Sequence, residues 1–284
     1  MATYSICLTQ GIGNMVQTTP FMNWLRDRGH RVEVYLKQVD HKDMVKLVDC
    51  AFDKVEQNPS KTGTVHRKDI WRHGNLKKFM CVHGEWAAWF EWYGLAVPDV
   101  DEVFASVNYV QPKKQFDVVL APCCKPNWPM KKWPYWQQLI DAWPGCAVVG
   151  LAGDGGDLHG DFTDLRGKLS LLETAGQLKF AQAVVAQDSG PAHMACAAGT
   201  KTIILAGPTD MVKCRPPHNA IVIKEPGICS SMPCQYRGGR VCRTEKKGGQ
   251  TIWWGCQYQQ TAPCMAAIPM DDVYCRLEQL MEEQ

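Results

Sequence analysis

The run Val184-Val185-Ala186-Gln187-Asp188-Ser189-Gly190-Pro191-Ala192-His193 places an acid, a hydroxyl, a glycine and an imidazole close together after an apolar β-type stretch. Small residues follow at helical spacing through Met194-Ala195-Cys196-Ala197-Ala198 and stop at Gly199. Asp188, Ser189 and Gly190 therefore stand where a buried strand hands over to a helix N-terminus. Unpaired N–H groups and the helix dipole favour an anion at such a point. Gly190 lets a phosphate approach the backbone, while Ser189 and His193 supply hydrogen-bond donors. A plainer reading has Asp188 or Ser189 capping the helix and His193 packed as a satisfied core residue.

Two further clusters carry chemistry. Gly11-Ile12-Gly13-Asn14 follows a short apolar β-type run, Tyr4 to Leu8, and precedes a helical pattern through Pro20, Phe21, Trp24 and Leu25. Lys131-Lys132-Trp133-Pro134 offers cations before another helical pattern, and Thr209 lies in Gly207-Pro208-Thr209-Asp210 after an apolar run. The thiols Cys229, Cys234, Cys242, Cys256 and Cys264 fall within one stretch. They could bind a structural zinc, but their spacing lacks the close C-x2-C pairs of common zinc sites, and a segment of reduced thiols is the larger expectation.

These residues need a frame to hold them. Strand, glycine turn, helix and a second strand at Arg31 to Leu36 make one βαβ unit, which implies a parallel sheet binding its ligand at the carboxyl ends of the strands. Beyond a tryptophan-rich helix pattern at Glu85 to Tyr93, the segment Tyr109 to Gln115 is polar and contains proline. We place a domain boundary there, giving residues 1–112 and 113–284. The second part alternates again: strands at Phe116 to Ala121, Ala147 to Leu151, Ala183 to Ala186 and Thr202 to Leu205. Helices at Pro134 to Ala142, Leu169 to Phe180 and Gly190 to Ala198 lie between them. The Cys-rich segment 229–264 follows, and Val273, Leu277 and Leu280 then mark one face of a terminal helix.

Three stretches resemble glycosyltransferase family 9, the heptosyltransferase-like enzymes. Asp188 to Gly199 with Gly207 to Asp210 is similar to the family's D-[ST]-G-x-x-H-x-A-x-A-x-G and G-P-T-D elements. Leu8 to Pro20 is similar to its N-terminal glycine loop, and Ala121-Pro122 through Lys131-Lys132-Trp133-Pro134 to its K-x-W-P element. The resemblance implies an α/β GT-B fold, two Rossmann-like doubly wound domains facing across a cleft, the second holding a nucleoside diphosphate sugar. It implies sugar transfer to an acceptor hydroxyl, inverting and without a required metal or other cofactor. On that template Gly11, Gly13, Lys131, Asp188, Ser189, Gly190, His193 and Thr209 bind the donor, and Lys131 and Asn14 are the catalytic candidates. Asn14 stands where family members commonly carry the aspartate base, and a carboxamide cannot take up a proton at neutral pH. Asp40, His41, His83 and Glu85 are substitutes that no motif distinguishes. A binding protein that keeps the nucleotide pocket without turnover is the rival expectation.

Charge bears on the acceptor. Lys61, Arg67, Lys68, Arg72, Lys77 and Lys78 oppose Asp69 alone between Lys61 and Lys78, and Arg237 to Lys247 is a second basic stretch. With a net charge of +2 overall, the rest of the chain is net negative. Arg67, Lys68 and Arg72 beside Trp71 suit an anionic acceptor, whether a phosphorylated glycan or lipid core or a nucleic acid; a solvated loop is an equal expectation. A chain of 284 residues that is 45% hydrophobic excludes a disordered or fibrous protein. No apolar run approaches the roughly 20 residues that span a bilayer, and the N-terminus shows no export pattern, so a soluble cytoplasmic protein with mostly reduced cysteines is expected.

Overall fold

The structure is a computed structural model that describes residues 1–8, 11–36, 46–48, 54–56, 65–66, 74–125, 128–214, 216–229, 232–234, 242–247, 250–256 and 262–283. The chain begins with β1 (Thr3–Leu8), α1 (Ile12–Val16), α2 (Thr19–Asp27), β2 (Arg31–Leu36), β3 (Lys54–Glu56) and β4 (Val65–His66). α3 (Gly74–His83) and α4 (Glu85–Trp92) complete this first part. Its four strands form a parallel sheet in the order β3-β2-β1-β4. Phe21 on α2 fixes α4 against it, its ring stacked on Trp89 and meeting Phe90 edge-on.

The second part runs β5 (Val118–Ala121), α5 (Trp136–Ala142), β6 (Cys146–Val148), β7 (Phe162–Asp164), α6 (Leu171–Lys179), β8 (Ala183–Gln187), α7 (Gly190–Ala197), β9 (Lys201–Leu205), α8 (Met211–Cys214) and β10 (Ala220–Ile223). After it come the hairpin β11 (Cys242–Lys247) and β12 (Gln250–Cys256), then α9 (Pro263–Ala266) and α10 (Met270–Glu282). The six-stranded sheet is parallel, in the order β10-β9-β8-β5-β6-β7. Read from β5, this is the doubly wound 3-2-1-4-5-6 order, with its switch point between β5 and β8. The first sheet has the same 3-2-1-4 start, with its switch point between β1 and β4.

Period two explains why both faces of the larger sheet are covered. Val119, Val184, Ala186 and Ile204 pack with Ala175, Leu178 and Met194 on one side. Val118, Leu120, Val185, Ile203 and Leu205 pack with Trp133, Trp136, Leu139 and the terminal-helix residues Val273, Leu277 and Leu280 on the other. Central parallel strands buried on both faces read as continuous apolar runs, as β5 and β8 do.

Several elements escaped the periodicity argument, among them β3, β4, α3, β7, α8, β10 and the β11–β12 hairpin. β7 is three residues long and only half-buried, too short to show alternation. The Cys-rich segment is partly a hairpin rather than a loop of thiols, with Cys242 opposite Cys256 in register; β-prone Ile252, Trp253 and Trp254 lie on β12.

The segment joining the two sheets is pinned to α6. Val110 N–H donates to the Leu172 carbonyl (3.0 Å), and Tyr109 meets Phe180 edge-on with Lys179 over its ring. α6 starts on a capping box, Ser170 with Glu173. Gly176 is there because a side chain would enter the Val110 carbonyl. Gly176→Ala is expected to destabilise the protein by about 1–3 kcal/mol through this overpacking, read as a lower denaturant midpoint with unchanged slope. An unaltered midpoint would show that the linker does not rest on α6.

Candidate active site

The loop after β8 and the turn before α5 meet at one ion pair. Lys131 Nζ lies 2.6 Å from Asp188 Oδ2 and donates to the Asp188 carbonyl at 3.0 Å. Asp188 is buried and Lys131 retains 17% side-chain exposure. The Gln187 carboxamide donates to the Lys131 carbonyl at 2.7 Å, tying the lysine turn to β8. Two residues on, Trp133 is buried with its indole N–H on the Ile268 carbonyl (3.0 Å), so the lysine is anchored from behind.

Burial by itself would push the Asp188 carboxyl up. The Lys131 charge and the adjacent His193 ring outweigh it and hold the group well below the usual carboxylate range. Asp188 is therefore ionised at neutral pH, and His193 Nε2 is 3.7 Å from its Oδ1. Ser189 is the N-cap residue of α7 but makes no side-chain cap bond. Its hydroxyl faces the Cys123 thiol at 3.4 Å instead. The capping reading of Ser189 thus does not apply, and the first turn of α7 is left without that side-chain partner. Burial, only partly opposed by the Ser189 contact, pushes Cys123 up to about 12, so it is a neutral thiol.

The glycine loop of the first sheet closes on this site from the opposite side. Gly11 is the N-cap of α1, with φ +39°. A methyl at Gly11 would stand 2.8 Å from Lys125 Nζ, one at Gly13 would stand 2.5 Å from His193 Cδ2, and one at Gly190 would stand 3.2 Å from Ile12 Cβ. The two switch-point loops thus approach each other at backbone distance, which only glycine permits at position 13. Asn14, on α1, is half-buried. Thr209, on the loop after β9, is buried with its hydroxyl directed at Met211 Sδ (3.7 Å).

Lys131, Asp188, Ser189, Gly190, His193, Gly11 and Gly13 therefore come together, from opposite ends of the chain. Arg67, Lys68, Arg72, Asp40 and His41 lie outside the described residues. His83 is exposed at the end of α3, and Glu85 is buried at the start of α4. Among the described residues, no group of three or more His, Cys, Asp or Glu side chains is placed to hold a metal ion. Cys229, Cys234 and Cys264 line a small cavity with Met130. Lys125, Cys123 and Gln17 also stand at this site, and no pattern in the sequence marks them. Lys125 and Cys123 fall in Ala-Pro-Cys-Cys-Lys with no helix or strand period to flag them.

The profile of glycosyltransferase family 9 (heptosyltransferase) matches residues 99–247, just over half of the chain and including the Lys131 and Asp188 loops. The chain belongs to this family. It is a glycosyltransferase. Solved structures similar to this family 9 chain include a family 9 glycosyltransferase from Veillonella parvula, with TM-score 0.68 and 13% identity over 99% of this chain and 97% of that one. The ADP-heptose lps heptosyltransferase II of E. coli gives TM-score 0.57 and 14% identity over 100% of both chains. The iron-containing dodecameric glycosyltransferase TibC of enterotoxigenic E. coli gives 0.67 and 14%, over 99% of this chain and 80% of that one. At such identity the likeness is one of fold, and the fold is GT-B. No curated protein matches the sequence. Among the described residues, no helix of this family 9 protein is long and apolar enough to cross a membrane.

Removing one partner of a buried pair strands the other charge. Asp188→Asn is expected to cost about 3–5 kcal/mol of stability at pH 7. A folded carboxyl held below its unfolded value contributes fully above that value, about 3.9, and the contribution is lost as pH falls through the folded one. The gap between wild type and variant should therefore narrow below about pH 4. Denaturant melts from pH 3 to 7 check it, and equal stability throughout would contradict the role given to the pair.

Proposed function

We propose that this enzyme moves a sugar from a nucleoside diphosphate sugar to an acceptor hydroxyl, by direct displacement with inversion and without a metal. The observation that carries the reading is the partly exposed Lys131, fixed beside the N-terminus of α7 at the switch point of the larger sheet. The crevice at such a point is where doubly wound sheets bind nucleotides, and a helix N-terminus with a lysine beside it suits a pyrophosphate. A TibC heptosyltransferase structure is a complex with ADP-D-beta-D-heptose, which supports a donor of this class.

In this reading the pyrophosphate lies along Ser189 and Gly190 with Lys131 on its charge. His193, Gly11, Gly13 and Asn14 border the transferred sugar, and Thr209 lies at the rim of the donor site. The acceptor oxygen attacks the anomeric carbon as the bond to the diphosphate oxygen breaks, and the bonding pair leaves on the diphosphate. Lys131 and the α7 dipole stabilise that developing charge, so the protein supplies what a metal would otherwise supply. Asn14 orients the acceptor hydroxyl, and its proton passes to a group other than residue 14. An anionic acceptor fits the basic segment around Arg67, Lys68 and Arg72.

Nucleoside diphosphate release from a panel of nucleotide sugars tests the reading. Lys131→Ala and His193→Ala are each expected to lower turnover by about 100-fold or more while the far-ultraviolet spectrum is kept. Wild-type rates in either variant would refute the assignment. Binding without release in the wild-type protein would favour a non-catalytic sugar-nucleotide receptor, the reading that Asn14 supports.

A further inference from the structure

Lys125 stands two residues beyond Cys123 on the loop after β5, and none of the roles above uses it. It is exposed, and its ammonium reaches from the larger sheet to the glycine loop of the smaller one. A methyl at Gly11 would stand 2.8 Å from Lys125 Nζ and 3.5 Å from its Cε, with Asn14 Nδ2 next at 3.7 Å. Successive residues of the glycine loop therefore meet three different groups: Gly11 the Lys125 ammonium, Ile12 the backbone at Gly190, and Gly13 the His193 ring. The Ser189–Gly190 turn thus has Lys125 to one side and His193 to the other.

Lys125 and Lys131 are joined through the backbone. Trp128 N–H donates to the Lys125 carbonyl at 2.8 Å, and Lys131 N–H donates to the Trp128 carbonyl at 3.1 Å. Nearer β5, the Cys123 thiol lies 3.4 Å from the Ser189 hydroxyl. These contacts set both lysines at the same switch point.

Charge gives the position its meaning. The Lys131 ammonium is 2.6 Å from the buried, ionised Asp188 carboxylate, so the fields of the two oppose each other across the crevice. A diphosphate that departs without a metal gains negative charge on the oxygen it takes from the anomeric carbon, and fixed protein charge must meet it there. In the donor pose proposed above, Gly11 and Asn14 border the transferred sugar. A cation over Gly11 is then on the sugar side of the pyrophosphate, beside the phosphate whose oxygen leaves.

We infer that Lys125 is a second phosphate-binding cation, which acts with Lys131 and engages the β-phosphate of the donor. As the acceptor oxygen bonds to the anomeric carbon, the electron pair of the breaking bond passes to the β-phosphate oxygen. Lys125 donates an N–H hydrogen bond to that oxygen and keeps its proton. The inference rests on the donor-site reading, and its test separates the two.

Calorimetry with the full chain uses whichever of ADP, GDP, UDP and CDP binds most tightly, beside the matching monophosphate. Lys125→Met is expected to weaken the diphosphate by about 10-fold or more and to leave the monophosphate, which lacks the β-phosphate, near the wild-type value. It should also lower kcat for nucleotide-sugar turnover by about 10-fold or more, and Lys125→Arg should restore most of both. In the wild-type protein the same diphosphate should protect Lys125 from an amine-acetylating reagent, read by mass spectrometry of its peptide.

A diphosphate affinity unchanged by Lys125→Met, an equal loss for both nucleotides, or acetylation of Lys125 at the same rate with and without diphosphate overturns the inference. The acetylation decides even if a variant does not fold. Diphosphate binding that depends on Lys125, in a protein that turns over no nucleotide sugar, counts against glycosyl transfer and leaves the phosphate role standing. Wild-type turnover by Lys125→Met does the reverse, and a wild-type protein that binds none of the four diphosphates sinks both.

Discussion

The Lys131–Asp188 ion pair is the constraint on which the site depends. Taking two charges out of water is costly, and their attraction repays it only where geometry and added hydrogen bonds are good. Here the lysine also donates to the Asp188 carbonyl, its own carbonyl is held by Gln187, and Trp133 anchors the turn through Ile268. The pair therefore joins the ends of β5 and β8 at the switch point and presents a cation there. Because Asp188 is ionised, it also sets the field in which the His193 ring sits.

The second constraint is steric. The N-terminal loop reaches this pair only because Gly13 has no side chain to meet His193 and Gly190 has none to press further on Ile12. Two sheets of related winding thus put their switch points face to face, with α1 against α7 and Gln17 reaching to His193 and Cys214. In the proposed reaction, with the donor on one sheet and the acceptor on the other, that approach matters because positioning of two reactants carries much of a rate.

Much of this was legible in the residues, and the exceptions have physical reasons. The apolar runs at β5 and β8 announced buried parallel strands, and Asp188-Ser189-Gly190 announced a strand-to-helix turn, because both are local patterns. The terminal helix showed its face through Val273, Leu277 and Leu280, all buried as the spacing requires. β7 was too short and too exposed to display a period. The β11–β12 hairpin was obscured by its cysteines, glycines and arginines, which read as loop. Lys131 and His193 were singled out through a motif, whereas side chains such as Gln17 and Cys123 were not. Gln17 meets His193 across 176 positions of sequence, and Cys123 meets Ser189 across 66; such contacts are set by tertiary packing, which periodicity does not encode. The Ser189 cap was a fair local expectation that the nearby thiol overrode.

The central claim is that a pyrophosphate docks where β8 hands over to α7, beside Lys131. A crystal structure of the protein with a bound nucleoside diphosphate tests it most directly. The account predicts phosphate oxygens within hydrogen-bond reach of the Ser189–Gly190 backbone and of Lys131 Nζ. Phosphates bound elsewhere, with that crevice holding only water, would contradict it.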